Sequence, residues 1–536
     1  MNIKKYIIFF LLILIFFAYH RLHYFFIHEY DILRISSDSS WWWIIQNWIQ
    51  QEGFGFNSSS IKDRILFRLP TDIYWQEFIV YLSDFFSINL LKTNIIISSI
   101  VFIILSISIF ALSFRLLNNF YWSFLSLFCI MNTSYSLFIR YPIVPAKVWG
   151  FILFPVILIF ILNIIERNRS YFISFFLLIV SMITYFISFS YFVIPLSLAT
   201  LYSSSINRSN NLNYFKKQII FWIALLVLSI LVMVVLKGGK NVFEASPVVF
   251  TELFYQNHKL NLFNISIIFI SSSSSIFGLL VSYYLIRKFD YSHKIYFSFL
   301  SIITILLFII SLVGLISANF FDVFRSLWFW RSAYFMGLPA TLCFMIGLKF
   351  FYSNSNFYKI KKIIITTFII SFYFIFSIIS RQAYYNKPTT AIGWYLYNDH
   401  EASILENINL EELINYSNDL KVEDFLILPP LKMQNINTDI FEANSNLPVI
   451  LSRGDHPHLI YKTDRTINYS ETIIKYNKIL DMNDNILKSE FLKNFLNDKN
   501  VSHILVPNEK IFNWIKLDPK FVVTFKNEKW LIIKSK

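Results

Sequence analysis

Apolar residues fill the first 380 positions of this chain in blocks of near-membrane length, separated by short polar breaks. A helix needs about 20 apolar residues to cross the hydrocarbon core. Runs of that order lie at 6–26, 94–114, 120–139, 147–165, 171–187, 189–205, 218–236, 263–286, 295–318, 333–350 and 361–380. The pattern predicts a polytopic α-helical membrane protein with about eleven transmembrane helices, and the pair within 171–205 is split only by the Phe186–Ser190 stretch. The first run follows Lys4 and Lys5 as a signal peptide would, but Ala18-Tyr19-His20 is no small-residue cleavage site. An uncleaved first span is expected.

Beyond Arg381 the pattern becomes that of a soluble fold. Helical periodicity is found near 401–416 and 487–498, and β-like runs at Phe425–Leu428, Ser502–Val506, Phe521–Phe525 and Trp530–Ile533. The expected division is therefore a transmembrane domain over 1–380 and a small α/β domain over 381–536. Two of the runs end at prolines, Pro429-Pro430 and Pro507, as edge-directed strands opening into loops do.

Composition agrees with a lipid solvent: 56% of residues are hydrophobic, 15% are charged, and the mean hydropathy is +0.54. The net charge of +14 comes from short basic clusters between apolar runs, not from a continuous basic face, so nucleic acid is not an expected partner. Arg115, Arg167/Arg169, Arg208/Lys216/Lys217, Arg287/Lys288/Lys294 and Lys359/Lys361/Lys362 fall in alternate connections, which the positive-inside rule assigns to the cytoplasm. The amino terminus is then cytoplasmic, and 27–93, 237–262, 319–332 and 381–536 lie on the outer side. Cys129 and Cys343 both sit in apolar runs, which excludes a disulfide framework or a cysteine cluster site.

The outer loop 27–93 is too long for a connector. Trp41-Trp42-Trp43 and Trp48, interleaved with Gln46, Asn47 and Gln50, suit a helix in the headgroup zone, and a second such helix is expected over 72–86. Aromatic residues that simply anchor neighbouring spans fit the same pattern.

Motifs for nucleotide phosphate cradling, nucleophile elbows and zinc proteases are absent from the sequence. What stands out is a set of ionisable residues at the outer face, where charge near lipid is costly. Asp38, with Glu29 and Asp31, could take a proton from an acceptor hydroxyl, or could merely solvate the loop. Arg325 and Arg331, beside Asp322 in a Trp-rich loop, could grip a phosphate bidentately, or anchor headgroups. His258, with Lys237, Lys240, Glu252 and Lys259, fits a solvated outer loop better than a site. Asp455, His456 and His458 form a turn more readily than a metal site.

This layout resembles the polytopic GT-C glycosyltransferase superfamily. Asp38-Ser-Ser-Trp-Trp, then Gly53 and Asp63, looks like the bacterial branch whose first loop carries an aspartate before an aromatic helix. Leu428-Pro-Pro430, Phe441 and Leu451-Ser-Arg453 resemble the corresponding pattern of that branch's outer domain. The resemblance implies that Asp38, or less readily Asp31, acts as base or metal ligand, so a divalent metal ion is the cofactor it would call for. It implies a polyprenyl-phosphate-linked sugar donor; with the phosphate-gripping Arg325 and Arg331 and the outer-loop His258, the Asp63 and Arg453 of the resembling segments complete the substrate-binding candidates. The family's acidic pair separated by one residue matches Glu29-Tyr-Asp31, but Asp38 fits the spacing from the first span better.

The sequence thus predicts a glycosyltransferase on the outer face of a bacterial inner membrane, with the bilayer, a lipid-linked sugar and an unspecified acceptor as partners. A transporter of lipid-linked glycans, an envelope assembly factor and a polysaccharide polymerase are the alternatives. Near charge-free spans and only 11 glycines speak against the broken helices of a transporter.

Overall fold

The structure, a computed structural model, describes residues 8, 11–12, 42, 46, 49–50, 70–133, 135, 148–167, 169–184, 192–207, 212–236, 262–287, 291–320, 332–355, 357–382, 400–420, 426–427, 429, 441, 445, 449–450, 472, 474–498 and 501–536. Up to residue 382 the described chain is helical. The helices are α1 (Pro70–Phe85), α2 (Leu90–Leu117), α3 (Phe120–Met131), α4 (Val148–Arg167), α5 (Tyr171–Thr184), α6 (Ile194–Asn207), α7 (Leu212–Leu236), α8 (Leu262–Ile286), α9 (Tyr291–Phe320), α10 (Ser332–Asn354) and α11 (Lys359–Gln382).

Among the described residues six helices are long and apolar enough to cross a membrane, with windows at Lys92–Leu117, Val148–Glu166, Asn213–Leu231, Lys294–Ser317, Ser332–Asn354 and Lys359–Ser377. Phe120–Met131, Tyr171–Met182 and Ser272–Ile286 are shorter apolar helices. By length and composition this is a multi-pass helical membrane protein. A count of eleven crossings goes beyond what these helices establish, and of the first expected span only Ile8, Leu11 and Leu12 are described, all helical.

Helix α10 is the axis of the bundle, with every residue from Ser332 to Leu348 buried. Such a helix needs small residues where its neighbours come close. A Cβ on Gly337 would lie 2.5 Å from Oγ1 of Thr133, so the backbone of α10 and the end of α3 meet there without room for a side chain. Helices α7 and α11 are peripheral. They turn Ile220, Ile223 and Val227, and Ile360, Ile364 and Phe368, outward, as lipid-facing helices do when lipid rather than water is the solvent.

Polar contacts sort the helix termini into two ends. Arg115, in the last turn of α2, donates to Glu166 of α4 at 3.2 Å and to the carbonyl of Ile159 at 2.8 Å. Tyr296 of α9 donates to the same Glu166 at 2.7 Å, Tyr214 of α7 to the carbonyl of Ile164 at 2.7 Å, and Lys349 of α10 to the carbonyl of Leu117. At the opposite end Ser332 of α10 donates to the carbonyl of Leu307 at 2.8 Å, and Tyr135 donates to the carbonyl of Phe151 near the start of α4. That carbonyl is free because Pro155, four residues on, has no N–H to offer.

Past residue 400 the described chain forms α12 (His400–Asn418), β1 (Leu426–Ile427), β2 (Val449–Ile450), α13 (Asn485–Asp498), β3 (His503–Pro507), β4 (Phe521–Lys526) and β5 (Trp530–Ser535). The strands make one mixed sheet of order β2-β1-β3-β5-β4, parallel among β2, β1 and β3 and antiparallel from β3 onward. Alternation along β3 and β5 sends Ile504, Val506, Leu531 and Ile533 to a core with Phe495 of α13. It sends Leu505, Trp530 and Ile532 to a second core with Leu410 and Leu413 of α12. The expectation of edge-directed strands is corrected: β1 and β3 are interior. Among the described residues β1 pairs with β3 at His503 and Ile504, and none of them asks Pro507 for an N–H on that side.

Candidate functional site

The end of the bundle opposite Arg115 carries α1, from the long loop that precedes α2. Proline at its first position costs nothing, because that N–H has no intrahelical partner in any helix. Two faces follow from the 3.6-residue period. Tyr74, Phe78, Tyr81 and Phe85 form an exposed aromatic stripe, whereas Gln76, Ile79, Val80 and Ser83 are buried. Trp75 turns inward, its ring perpendicular to that of Trp149 of α4 at 5.5 Å.

Three buried amides fasten this loop to the bundle. Gln46, which is helical, donates from Nε2 to Oε1 of Gln76 in α1 at 2.5 Å and to Oδ1 of Asn94 in α2 at 3.0 Å. Asn94 donates back to Oε1 of Gln46 at 2.6 Å and to the carbonyl of Leu90 at 3.0 Å. All three are 0% exposed, so each bond offsets a desolvation cost that no water can repay. Nε2 of Gln76 has no acceptor among the described residues. Trp42 and Ile49, one turn either side of Gln46, are buried in the same core as α2 and α4.

The turn from α1 to α2 forms an open cleft of about 500 Å³ lined by the polar Gln50, Ser83, Asp84, Ser87 and Asn89 and the apolar Ile88 and Leu90. Its backbone is fixed by a Schellman cap: Ile88 donates to the carbonyl of Ser83 at 3.0 Å and Ser87 to that of Asp84 at 3.1 Å. The cap needs a left-handed residue, usually glycine, and here Ser87 takes it at φ 51°. The Ser83 hydroxyl donates to the carbonyl of Ile88 at 2.7 Å, leaving the Asp84 carboxylate, the Gln50 amide and the Ser87 hydroxyl without a partner among the described residues.

The sequence-derived candidates Asp38, Asp31, Asp63, His258, Arg325, Arg331 and Arg453 lie outside the described residues, as do Asp455, His456 and His458. Among the described residues no group of three His, Cys, Asp or Glu side chains could hold a metal ion. The amide cluster escaped the sequence reading. Its only signal was the spacing of Trp42, Gln46 and Ile49, which puts an amide on the buried side of an aromatic helix.

No family model and no curated protein matches the chain. Solved structures similar to it include an arabinofuranosyltransferase. Two cryo-EM structures of arabinofuranosyltransferase AftD from Mycobacteria, one of them of a mutant, align over 89% of this chain. Identity is 10% and 9%, with TM-scores of 0.46 and 0.44. The chain spans only 38% and 37% of those proteins. A likeness this loose carries nothing about chemistry.

Proposed function

We propose that the chain is a membrane glycosyltransferase of the GT-C type, taking a sugar from a polyprenyl-phosphate-linked donor on the outer face of a bacterial inner membrane. The observation that carries this reading is the docking of the first loop. Trp42, Gln46 and Ile49, which begin four residues after Asp38, are packed into the bundle rather than running through solvent. A carboxylate next to a rigidly held segment can keep the geometry that proton abstraction requires, which a floppy connector cannot.

Asp38 is the base in this scheme, removing the acceptor hydroxyl's proton as the oxygen attacks the anomeric carbon, while the polyprenyl phosphate departs. Arg325 and Arg331 hold that phosphate bidentately. The end of the bundle with Arg115, Lys349, Lys216 and Lys217 is cytoplasmic by the positive-inside rule, so α1 and its cleft face outward.

The test is Asp38→Asn in membranes containing the polyprenyl-linked donor pool, read out on the cell-surface glycan. Loss of transfer with unchanged insertion and thermal stability is expected, because the substitution keeps the shape and removes only the basic oxygen. Full transfer by the variant, with Asp31→Asn equally active, would leave an assembly factor as the better description.

A further inference from the structure

We propose that the cleft between α1 and α2 is a saccharide-binding subsite, holding a neutral polyhydroxylated sugar unit through Asp84, Gln50 and Ser87. This goes beyond sugar transfer and does not depend on Asp38 being a base.

The argument starts from what the cleft offers. An ionised carboxylate only accepts, and its two oxygens suit two neighbouring hydroxyl donors. An amide supplies both donor and acceptor, and a serine hydroxyl can do either. Leu90 opens α2, whose first-turn N–H groups have no intrahelical acceptors, and it too lines the cleft. Mixed donors and acceptors around about 500 Å³ match a ligand that is itself both donor and acceptor at every carbon.

Other chemistries fit less well. The Asp84 carboxylate in the wall repels a phosphate or carboxylate ligand. A divalent cation would find one carboxylate where it needs several oxygen anions, and no three-residue metal cluster exists among the described residues. A hydrocarbon would strand the three unpartnered polar groups.

Two further features point the same way. Phe85 and Phe86, next in sequence to the lining residues Asp84 and Ser87, are exposed, with rings perpendicular at 5.0 Å; exposed aromatic rings beside a polar cleft suit the C–H side of a sugar ring. Ser87 is held in a left-handed conformation that glycine would adopt without strain. Left-handed non-glycine residues recur at ligand sites, and Ser87 is the one of three in the described chain, with Asn118 and Ser170, that lines the cleft.

The experiment uses the full chain in lipid nanodiscs, which avoids detergents with sugar headgroups. Saturation-transfer NMR is recorded with methyl glycosides of glucose, galactose and mannose, and with methyl phosphate as a competitor. At least one glycoside is expected to bind saturably and to resist methyl phosphate. Asp84→Asn should weaken it about ten-fold or more, as expected for loss of hydrogen bonds to a charged group, and Gln50→Ala by less. Asp38→Asn should leave it unchanged, so failure of the proposed base and failure of this subsite are separable. The proposal is overturned if no glycoside binds the folded protein, if binding survives both Asp84→Asn and Gln50→Ala, or if methyl phosphate displaces the sugar.

Discussion

The phenolic hydroxyl of Tyr135 donates to the main-chain carbonyl of Phe151, the acceptor that Pro155 leaves without a helical N–H. The Tyr135 ring packs among Phe151, Phe154 and Phe335, and Phe154 stacks on Phe192 at 4.5 Å. A proline in α4 is thereby made compatible with an apolar surrounding by a side chain from another segment.

Tyr135→Phe should therefore destabilise the bundle by about 1–3 kcal/mol, the usual range for stranding a buried acceptor. Pro155→Ala restores an N–H to the Phe151 carbonyl, so the double variant should lose much less than the two single effects added together. Thermal melts of the four proteins in one lipid composition measure the coupling. Strict additivity would mean that the hydroxyl and the proline are unrelated.

The amide cluster makes an ordered prediction. Asn94 takes part in three hydrogen bonds and Gln76 in one, with its own N–H₂ unpartnered. Asn94→Leu should cost about 2 kcal/mol or more, and Gln76→Met under about 1 kcal/mol, because the latter also removes an orphan donor. Limited proteolysis of the first loop, together with melting temperature, reads both. Equal losses would contradict the bonding pattern.

Ser87→Gly removes a left-handed strain without touching the cap's hydrogen bonds. A stability gain of about 0.5–1 kcal/mol is expected, at the expense of saccharide affinity. A loss of stability would show that the Ser87 side chain holds the turn together.

Lys488 gives a pH signature outside the membrane. Burial, partly countered by the Asp481 carboxylate, lowers its ammonium below the ordinary lysine range. Its Nζ donates to the carbonyl of Met482 at 3.3 Å and lies 4.9 Å from the Trp514 ring centroid. With the folded pKa depressed, the folded state holds this proton less firmly than the unfolded chain. The contribution of this group to stability therefore grows as pH rises through the folded pKa, and levels off above the unfolded value near ~10.4. Lys488→Met should flatten that rise. ¹³C NMR of the reductively methylated protein should place the Lys488 midpoint below the ordinary lysine value of about 10.4, and a midpoint above that value would contradict it.

The apolar runs were sufficient to locate helices, because a membrane span is specified by composition over its own length. The runs at 502–506, 521–525 and 530–533 likewise located β3, β4 and β5. Where the reading failed, the cause was long-range pairing. The described strand Val449–Ile450 pairs with β1, more than twenty residues earlier in the chain, a partner that no local pattern announces. Pro507 suggested an edge, since nothing local reveals that β1 lies beside β3. Gln46 looked like the polar side of an interfacial helix, because its partners lie 30 and 48 residues away.

The unequal burial of α10 and α11 has a consequence for descent. The membrane window of α10 is 83% buried and that of α11 17%. Against lipid, almost any apolar side chain serves as well as another, so α11 is free to drift among Ile, Leu, Phe and Val. In α10 each change must be answered by a neighbour, as Gly337 and Thr133 illustrate. The central helix should then be the slow clock of this lineage and the outer one its fast clock, and homologues compared by α11 alone would look unrelated long before those compared by α10.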